Sequence, residues 1–294
     1  MNLLNIIEDI HAADPEFKDR ISPRRAAIKN ITSFGTKVAA AALPFAFSTL
    51  FKKAYGQTAT RSVNDVLNFA LTAEIAELGL YNTGLSRAGL IPSQDVPAIT
   101  LLRNVETKHV EFLRRTLGNN VNSTNASLSF AANTPNFDYT GNKGLNTAST
   151  APFPNVFTNY DVFLAVVNAF EDTGVRAYKG QAPFLLGNQV VLTAALNIHS
   201  VEARHAAFIR RLRTIRNTSL TIKPWITGDG ATASGVASPT LAATAAATVY
   251  AGEAVTTQAG VNIASFVSTS AAQESFDEPL TTDQVLNILA NFRR

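Results

Sequence analysis

The stretch ETKHVEFLRR at residues 106–115 recurs as EARHAAFIRR at residues 202–211. Each copy is Glu-x-x-His followed by two residues, Phe, an aliphatic residue and an Arg pair, and the copies start 96 residues apart. In a helix, residues three apart project from the same face, so each copy presents one carboxylate and one imidazole to the same neighbour. The repeat therefore predicts two equivalent helices that contribute matching ligands to one metal centre.

A second repeat lies upstream of each copy. Glu74 is followed seven residues later by Tyr81, and Glu171 is followed at the same distance by Tyr178. Four carboxylates and two imidazoles with this internal symmetry match the ligand set of a dinuclear, carboxylate-bridged site inside a four-helix bundle. We therefore predict six metal ligands: Glu74, Glu106, His109, Glu171, Glu202 and His205.

Apolar residues at helical spacing surround these ligands and predict four helices. Leu71 and Leu78 flank Glu74, for example, so this carboxylate interrupts an apolar stripe. A carboxylate in such a position is costly unless it is paired or bound to metal, which favours a ligand over a surface charge. The predicted helices run from about 62 to 81, 93 to 118, 159 to 179 and 188 to 215.

The connections between these helices indicate the topology. Short turns predict two antiparallel hairpins. About 40 residues rich in Asn, Thr, Ser, Ala and Gly, at about 119–159, separate the hairpins and can carry the chain from one end of a bundle to the other. The predicted fold is all-α, with a four-helix bundle over residues 57–220 and one long crossover connection.

Residues 221–294 predict an irregular extension that packs on the bundle and ends in a short helix. One further short helix is predicted at Leu241–Tyr250, and the last at Asp283–Phe292. Thr281 with Gln284 forms a capping box at its start. Its predicted apolar face consists of Val285, Leu286, Ile288, Leu289 and Phe292.

The first 56 residues are similar to a twin-arginine export signal. Ser22-Pro-Arg-Arg-Ala-Ala-Ile-Lys29 precedes an apolar run at residues 38–47, which is too short and too interrupted by Pro44 to span a bilayer. We therefore predict that residues 1–56 are removed and that the protein is exported to the periplasm or the medium of a bacterium, with no stable membrane span. An N-terminal helix pair that stays attached is the alternative.

The order Glu, Glu-x-x-His, Glu, Glu-x-x-His resembles the ferritin-like superfamily. LNFALTAEIAE at 67–77, FEDTGVRAY at 170–178 and FDEPLT at 276–281 are similar to a secreted group that includes the plant desiccation-related proteins and their bacterial relatives. This chain departs from the group at Ala73 and Ala76, where relatives carry bulkier apolar residues. The resemblance covers most of residues 60–294 and implies a ferritin-like bundle with a metal site more than a particular reaction.

The ligand types narrow the choice of metal. Oxygen-rich coordination with one imidazole per ion favours iron or manganese, and zinc, which accepts the same atoms, remains an alternative. Tyr81 and Tyr178 are predicted to donate hydrogen bonds to the ligands or to take part in one-electron chemistry. Glu77, one turn after Glu74, is a candidate for an additional ligand, with a flanking carboxylate as the alternative.

Composition excludes several other functions. The chain has no cysteine, which excludes iron–sulfur clusters, zinc–thiolate sites and disulfides. Its net charge of +3 resides in residues 1–56, and the remainder carries 17 charges of each sign, so no basic face for nucleic acid is predicted.

Two functions remain. The first is redox chemistry of two iron or manganese ions with a small oxidant such as oxygen or peroxide, in stress protection. The alternative is a non-catalytic scaffold or stress protein that metal stabilises, or that sequesters metal. A homo-oligomer is compatible with either function.

Overall fold

The computed structural model describes residues 61–133, 136–142, 151–220, 222–228 and 249–294. The export signal predicted in residues 1–56 lies outside the described residues, as does nearly all of the helix predicted at Leu241–Tyr250. Within the described ranges, no helix combines the length and apolarity that crossing a bilayer requires.

Four long helices dominate the structure: α1 (Val63–Ser86), α2 (Val96–Leu117), α4 (Tyr160–Gln181) and α5 (Gln189–Arg216), with a short α3 (Ser123–Ser127) in the crossover. The extension contains strands β1 (Thr257–Gln258) and β2 (Val261–Asn262), which pair antiparallel, and helices α6 (Thr269–Gln273) and α7 (Thr282–Leu289). Single 3-10 turns occupy Gly118–Asn120, Ala182–Leu185 and Ile263–Ser265.

Side-chain caps account for where three of the four long helices begin, and α2 begins instead with a proline in its first turn. Ser62 forms a capping box with Asp65, and Asn159 and Asn188 each accept a hydrogen bond from the backbone N–H three residues later. Helix α2 ends at Gly118, whose φ of 52° is a conformation that L side chains rarely adopt. The predicted helices are therefore found, although α1 continues five residues beyond Tyr81.

The four helices form two hairpins that meet through α1 and α4. Helix α1 packs on α2, α4 packs on α5, and α1 and α4 pack on each other, whereas α2 and α5 are less closely packed. Crossover and extension residues cover the remaining sides of the central pair: the Tyr139 hydroxyl, for example, donates to the Ala76 carbonyl at 2.7 Å. Nearly every residue of α1 from Val66 to Gly84 is buried as a result. The predicted all-α bundle is confirmed.

The final helix follows the prediction only in part. The Thr281–Gln284 capping box is present, but α7 ends at Leu289 instead of Phe292. The prediction that Leu286 belongs to the buried face is wrong, because this side chain is 40% exposed while Val285 and Leu289 face the bundle. Phe292, beyond the helix, packs edge-on against the α4 residue Phe170.

Buried charges connect the extension to α4. The Arg176 guanidinium lies 2.5 Å from the Glu253 carboxylate and donates to the carbonyls of Ala251 and Glu278, each at 2.8 Å. Both charged side chains are almost fully buried. Glu253 therefore belongs to a buried ion pair that connects the extension to α4.

Gly180 near the end of α4 allows the closest approach between these two parts. The Leu280 amide donates to the Arg176 carbonyl at 3.1 Å, and a Cβ at Gly180 would lie 1.9 Å from the Leu280 carbonyl oxygen. Two backbones this close leave no room for a methyl group.

We expect Gly180→Ala to lower the free energy of unfolding by about 1–3 kcal/mol, because the extension must move away from α4. Gly187→Ala is the matched control, since a Cβ there would meet no atom within 4 Å. Urea unfolding of both variants checks this. Equal stability of the two variants would contradict the close approach.

Candidate metal centre

Six side chains from the four long helices converge at the centre of the bundle. Helix α1 supplies Glu74, α4 supplies Glu171, and α2 and α5 each supply one Glu-x-x-His pair. Each carboxylate interrupts an apolar helix face, so helix packing carries all of them inward together. They form two overlapping groups whose possible ligand atoms all lie within 4.8 Å of one another: Glu74, Glu106, His109 and Glu202, and then Glu106, Glu171, Glu202 and His205.

Glu106 and Glu202 belong to both groups, and distances show how Glu106 spans them. Its Oε2 lies 3.0 Å from His109 Nδ1, and its Oε1 lies 2.7 Å from His205 Nδ1. The two imidazoles are nearly parallel, with ring centroids 6.4 Å apart. Each end of the cluster therefore has one imidazole and one further carboxylate, and two shared carboxylates lie between the ends.

The hydrogen bonding of the cluster is incomplete. Buried atoms without a hydrogen-bond partner include Glu106 Oε1, Glu171 Oε2, both Glu202 oxygens and His205 Nδ1. His205 Nδ1 lies only 2.7 Å from Glu106 Oε1, yet the two atoms are not aligned for a hydrogen bond. Ligand atoms that point towards a common centre and not at one another have the arrangement that a bound cation satisfies. The residues present therefore fit a metal pair.

Electrostatics support the same conclusion. Burial, with Glu171 and Glu74 nearby, raises the pKa of Glu106 to about 7, and burial with neighbouring carboxylates raises the pKa of Glu202 well above its usual range. Burial lowers the pKa of His205, but Glu171 and Glu106 outweigh it and raise that pKa to about 11. The cluster has an excess of negative charge, which cations offset.

The two tyrosines contact the cluster across the α1–α4 interface. The Tyr178 hydroxyl on α4 donates to Glu74 on α1 at 2.5 Å, and the Tyr81 hydroxyl on α1 donates to Glu171 on α4. Each tyrosine thus holds the carboxylate of the opposite helix, not the one on its own helix. Both hydroxyls are in position to orient a ligand oxygen.

Glu77 lies beside the cluster but in neither group of ligand atoms. It is 3% exposed, and a Cβ at Gly174 would lie 3.0 Å from Glu77 Oε1 and 3.2 Å from Glu202 Oε2. The missing side chain at Gly174 therefore makes room for two carboxylates. Burial and the charge of Glu202 raise the pKa of Glu77 well above its usual range.

A second buried network adjoins the cluster and was not predicted from the sequence. Arg210 forms two hydrogen bonds to Asp172, at 2.8 and 2.6 Å, and the Tyr250 hydroxyl donates to the same carboxylate at 2.5 Å. Asp172 directly follows Glu171, so the network fixes the helix turn that carries a predicted ligand. Two features of the sequence could have indicated this network: an aspartate inside an apolar helix, and the Arg pair that follows each Glu-x-x-His.

His199, three residues before Glu202, makes its contact with a neighbouring helix. His199 Nδ1 lies 2.9 Å from the Val175 carbonyl oxygen. This contact is a helix–helix hydrogen bond and does not involve a predicted ligand.

Residues 62–214, more than half of the chain, match the family model described as a ferritin-like domain. The chain belongs to the ferritin-like family. No curated protein matches it, and no solved structure does. The match spans the four long helices almost completely. It includes both overlapping groups of buried Glu and His, which could hold metal ions as in ferritin-like dinuclear sites. The ferritin-like match does not include residues 249–294.

We expect Tyr81→Phe and Tyr178→Phe to lower metal affinity by about 10–100-fold each, because each leaves a predicted ligand without its hydrogen-bond donor. Tyr139→Phe is the control, since this equally buried hydroxyl donates to the Ala76 carbonyl. Competitive titration with Mn²⁺ compares the metal affinities of the three variants with that of the native chain. Equal affinity in all three variants would show that the tyrosines do not support the ligands.

Proposed function

We propose that this ferritin-like protein is exported, holds two iron or manganese ions, and reacts with oxygen or peroxide in stress protection, as a member of the secreted desiccation-related group. One observation carries the proposal: two groups of buried ligand atoms share Glu106 and Glu202, and several of their oxygens have no other partner. An ordinary buried polar network satisfies its own donors and acceptors.

We infer a role for each of the six residues from the two groups that they form. Glu74 and His109 would hold one ion, Glu171 and His205 the other, and Glu106 and Glu202 would bridge the pair. Two divalent ions carry the four positive charges that balance the four carboxylates. Nitrogen and oxygen ligands in this ratio suit iron and manganese, and zinc accepts the same atoms.

The ions would supply one electron each, so that one dioxygen and two protons give one hydrogen peroxide. The protein's own residues provide positioning and shielding. Tyr81 and Tyr178 hold two of the carboxylates through their hydroxyls. The four carboxylates are at most 1% exposed, whereas each imidazole side chain is 9% exposed, so the histidines are the most exposed of the six side chains.

Export is proposed from the N-terminal residues alone. The Arg pair at Arg24–Arg25 followed by an apolar run is typical of the twin-arginine route, and that route carries folded, metal-loaded cargo. Such a route suits a protein whose ligands come from four different helices, because the metal pair would form only after folding.

Elemental analysis of the purified chain tests the metal centre. We expect about two iron or manganese ions per chain, and their loss in the Glu106→Ala/Glu202→Ala double variant, because both shared carboxylates are removed. Glu111→Ala is the matched control on α2, where an exposed carboxylate pairs with Lys108. A folded native chain without metal would sink the proposal.

The redox role has a separate readout. The metal-loaded protein is mixed with dioxygen or hydrogen peroxide, and oxidant consumption is followed with absorbance. A chain that holds two ions and consumes neither oxidant would leave a scaffold that metal stabilises through binding to the folded state.

A further inference from the structure

An apolar pocket lies between the four long helices, at the bundle end formed by the start of α1 and the end of α4. Its α1 wall extends from Val66 to Ala73, about 10 Å along the helix axis. The lining is almost wholly aliphatic or aromatic. The free space at its centre is narrow, with room for little more than one water-sized molecule.

The pocket is lined by one exposed residue and by one residue that contacts a predicted ligand. Among its described lining residues only Phe112 is exposed, at 38%, so the mouth lies beside this ring. Phe112 belongs to the repeated motif and lies one turn after His109. The inner wall contains Tyr178, whose hydroxyl donates to Glu74. Tyr178 therefore belongs both to the wall of the pocket and to the surroundings of the cluster.

The sequence repeat shows that the pocket arises from small residues at one end of the bundle, contributed by both repeats. Glu74 and Glu171 are 97 residues apart and the Glu-x-x-His motifs 96 apart, so each lining position has a counterpart in the other half. Four alanines in the wall correspond to bulky residues there, all of them buried. The pairs are Ala70 with Val167, Ala73 with Phe170, Ala177 with Leu80, and Ala195 with Ile99.

The other end of the bundle is filled accordingly. Phe163 is the counterpart of Val66, and its ring packs so closely on Gly84 that a Cβ there would lie 2.3 Å from it. The ligands and the tyrosines keep the repeat, while the packing next to them does not. The equivalent positions hold large apolar residues, whereas the alanines border the free space of the pocket.

The polarity of the wall selects among small oxidants. Gln181 is the only amide in the wall; its Nε2 donates to Thr282 Oγ1 at 3.2 Å, and its buried Oε1 has no partner. Hydrogen peroxide has two O–H groups, of which this oxygen accepts at most one, and burying an unpaired hydroxyl costs about 2–7 kcal/mol. Dioxygen has no hydrogen bonds to lose, and apolar cavities bind small apolar molecules such as xenon.

We propose that this alanine-lined pocket is a binding site for dioxygen on its way from the mouth at Phe112 to the metal centre. The proposal rests on the proposed function, in which two electrons, one from each ion, and two protons convert dioxygen to hydrogen peroxide. It adds a binding site for dioxygen and a direction of entry, from one end of the bundle only. Polar oxidants reach the cluster at its histidine edge instead.

The test fills the pocket with the residue types that the counterpart positions of the repeat already carry. Ala70→Val/Ala195→Ile is the main variant, and Ala195→Val is a milder version that retains most of the native packing. Leu196→Ile is the matched control, because it places a β-branched residue on the exposed face of the same helix. Metal content is measured in every variant before any rate.

Two readouts follow. In crystals pressurised with xenon, we expect a xenon atom between Ala70 and Ala195 of the native chain and none in the main variant. In protein loaded with ferrous iron, the main variant should react with dioxygen on the order of tenfold more slowly, equivalent to about 1.4 kcal/mol of added barrier. Its reaction with hydrogen peroxide, and both reactions of Leu196→Ile, should keep the native rate.

The outcomes separate the two proposals. A native chain without metal overturns the proposed function, and the role of the pocket with it. A metal-loaded chain whose pocket takes up no xenon, or whose filled variants react with dioxygen at the native rate, overturns the pocket alone. Equal slowing with dioxygen and peroxide also overturns it, since a blocked entry path for dioxygen leaves peroxide unaffected.

Discussion

The whole bundle is organised around the burial of four carboxylates and two imidazoles at one point on its axis. Removing a carboxylate from water costs several kcal/mol unless charge and hydrogen bonds replace the lost hydration. No single helix carries the cluster, so the charges meet only when all four long helices are packed. The same packing brings each tyrosine hydroxyl to the carboxylate of the opposite helix. Fold and site therefore depend on each other.

The internal repeat is retained at the residues of the cluster, whereas the surroundings of the Arg pairs differ between its two copies. Both halves keep one Glu with its Tyr and one Glu-x-x-His. The Arg pairs that follow have diverged: Arg210 is buried against Asp172, whereas Arg114 lies over the Phe130 ring in the crossover. This divergence follows from the surroundings, because the extension covers α4 and the crossover covers α1 and α2.

The sequence predicted what repeats at helical spacing. The four helices and the six central side chains follow from local patterns, since a polar residue in an apolar stripe must face inward with its neighbours. The roles of those six residues as ligands stay a prediction. The removal of residues 1–56 and the identity of the metal stay predictions too.

Long-range pairs could not be predicted in the same way. Arg176 and Glu253 are 77 residues apart in the chain, and Tyr250 reaches Asp172 from an irregular segment. No periodicity relates such residues, and their partners depend on how the extension lies along α4. The exposed Leu286 was missed for a similar reason, because the face with which the final helix docks on the bundle decides which of its apolar residues are covered.

The buried charges together indicate where a cation belongs. Among the described residues, Arg176 is paired with Glu253, Arg210 with Asp172, and Asp95 with Arg216. These pairs neutralise themselves within hydrogen-bonding distance. The central cluster does not: with Glu77 it brings five carboxylates to two imidazoles, and burial together with the neighbouring carboxylates raises the pKa of Glu106, Glu202 and Glu77. Within the described ranges, the other buried acids are paired with arginines, and the buried carboxylate oxygens that lack partners all belong to this cluster. Positive charge supplied from outside the chain accounts for both the excess of carboxylates and their unpaired oxygens.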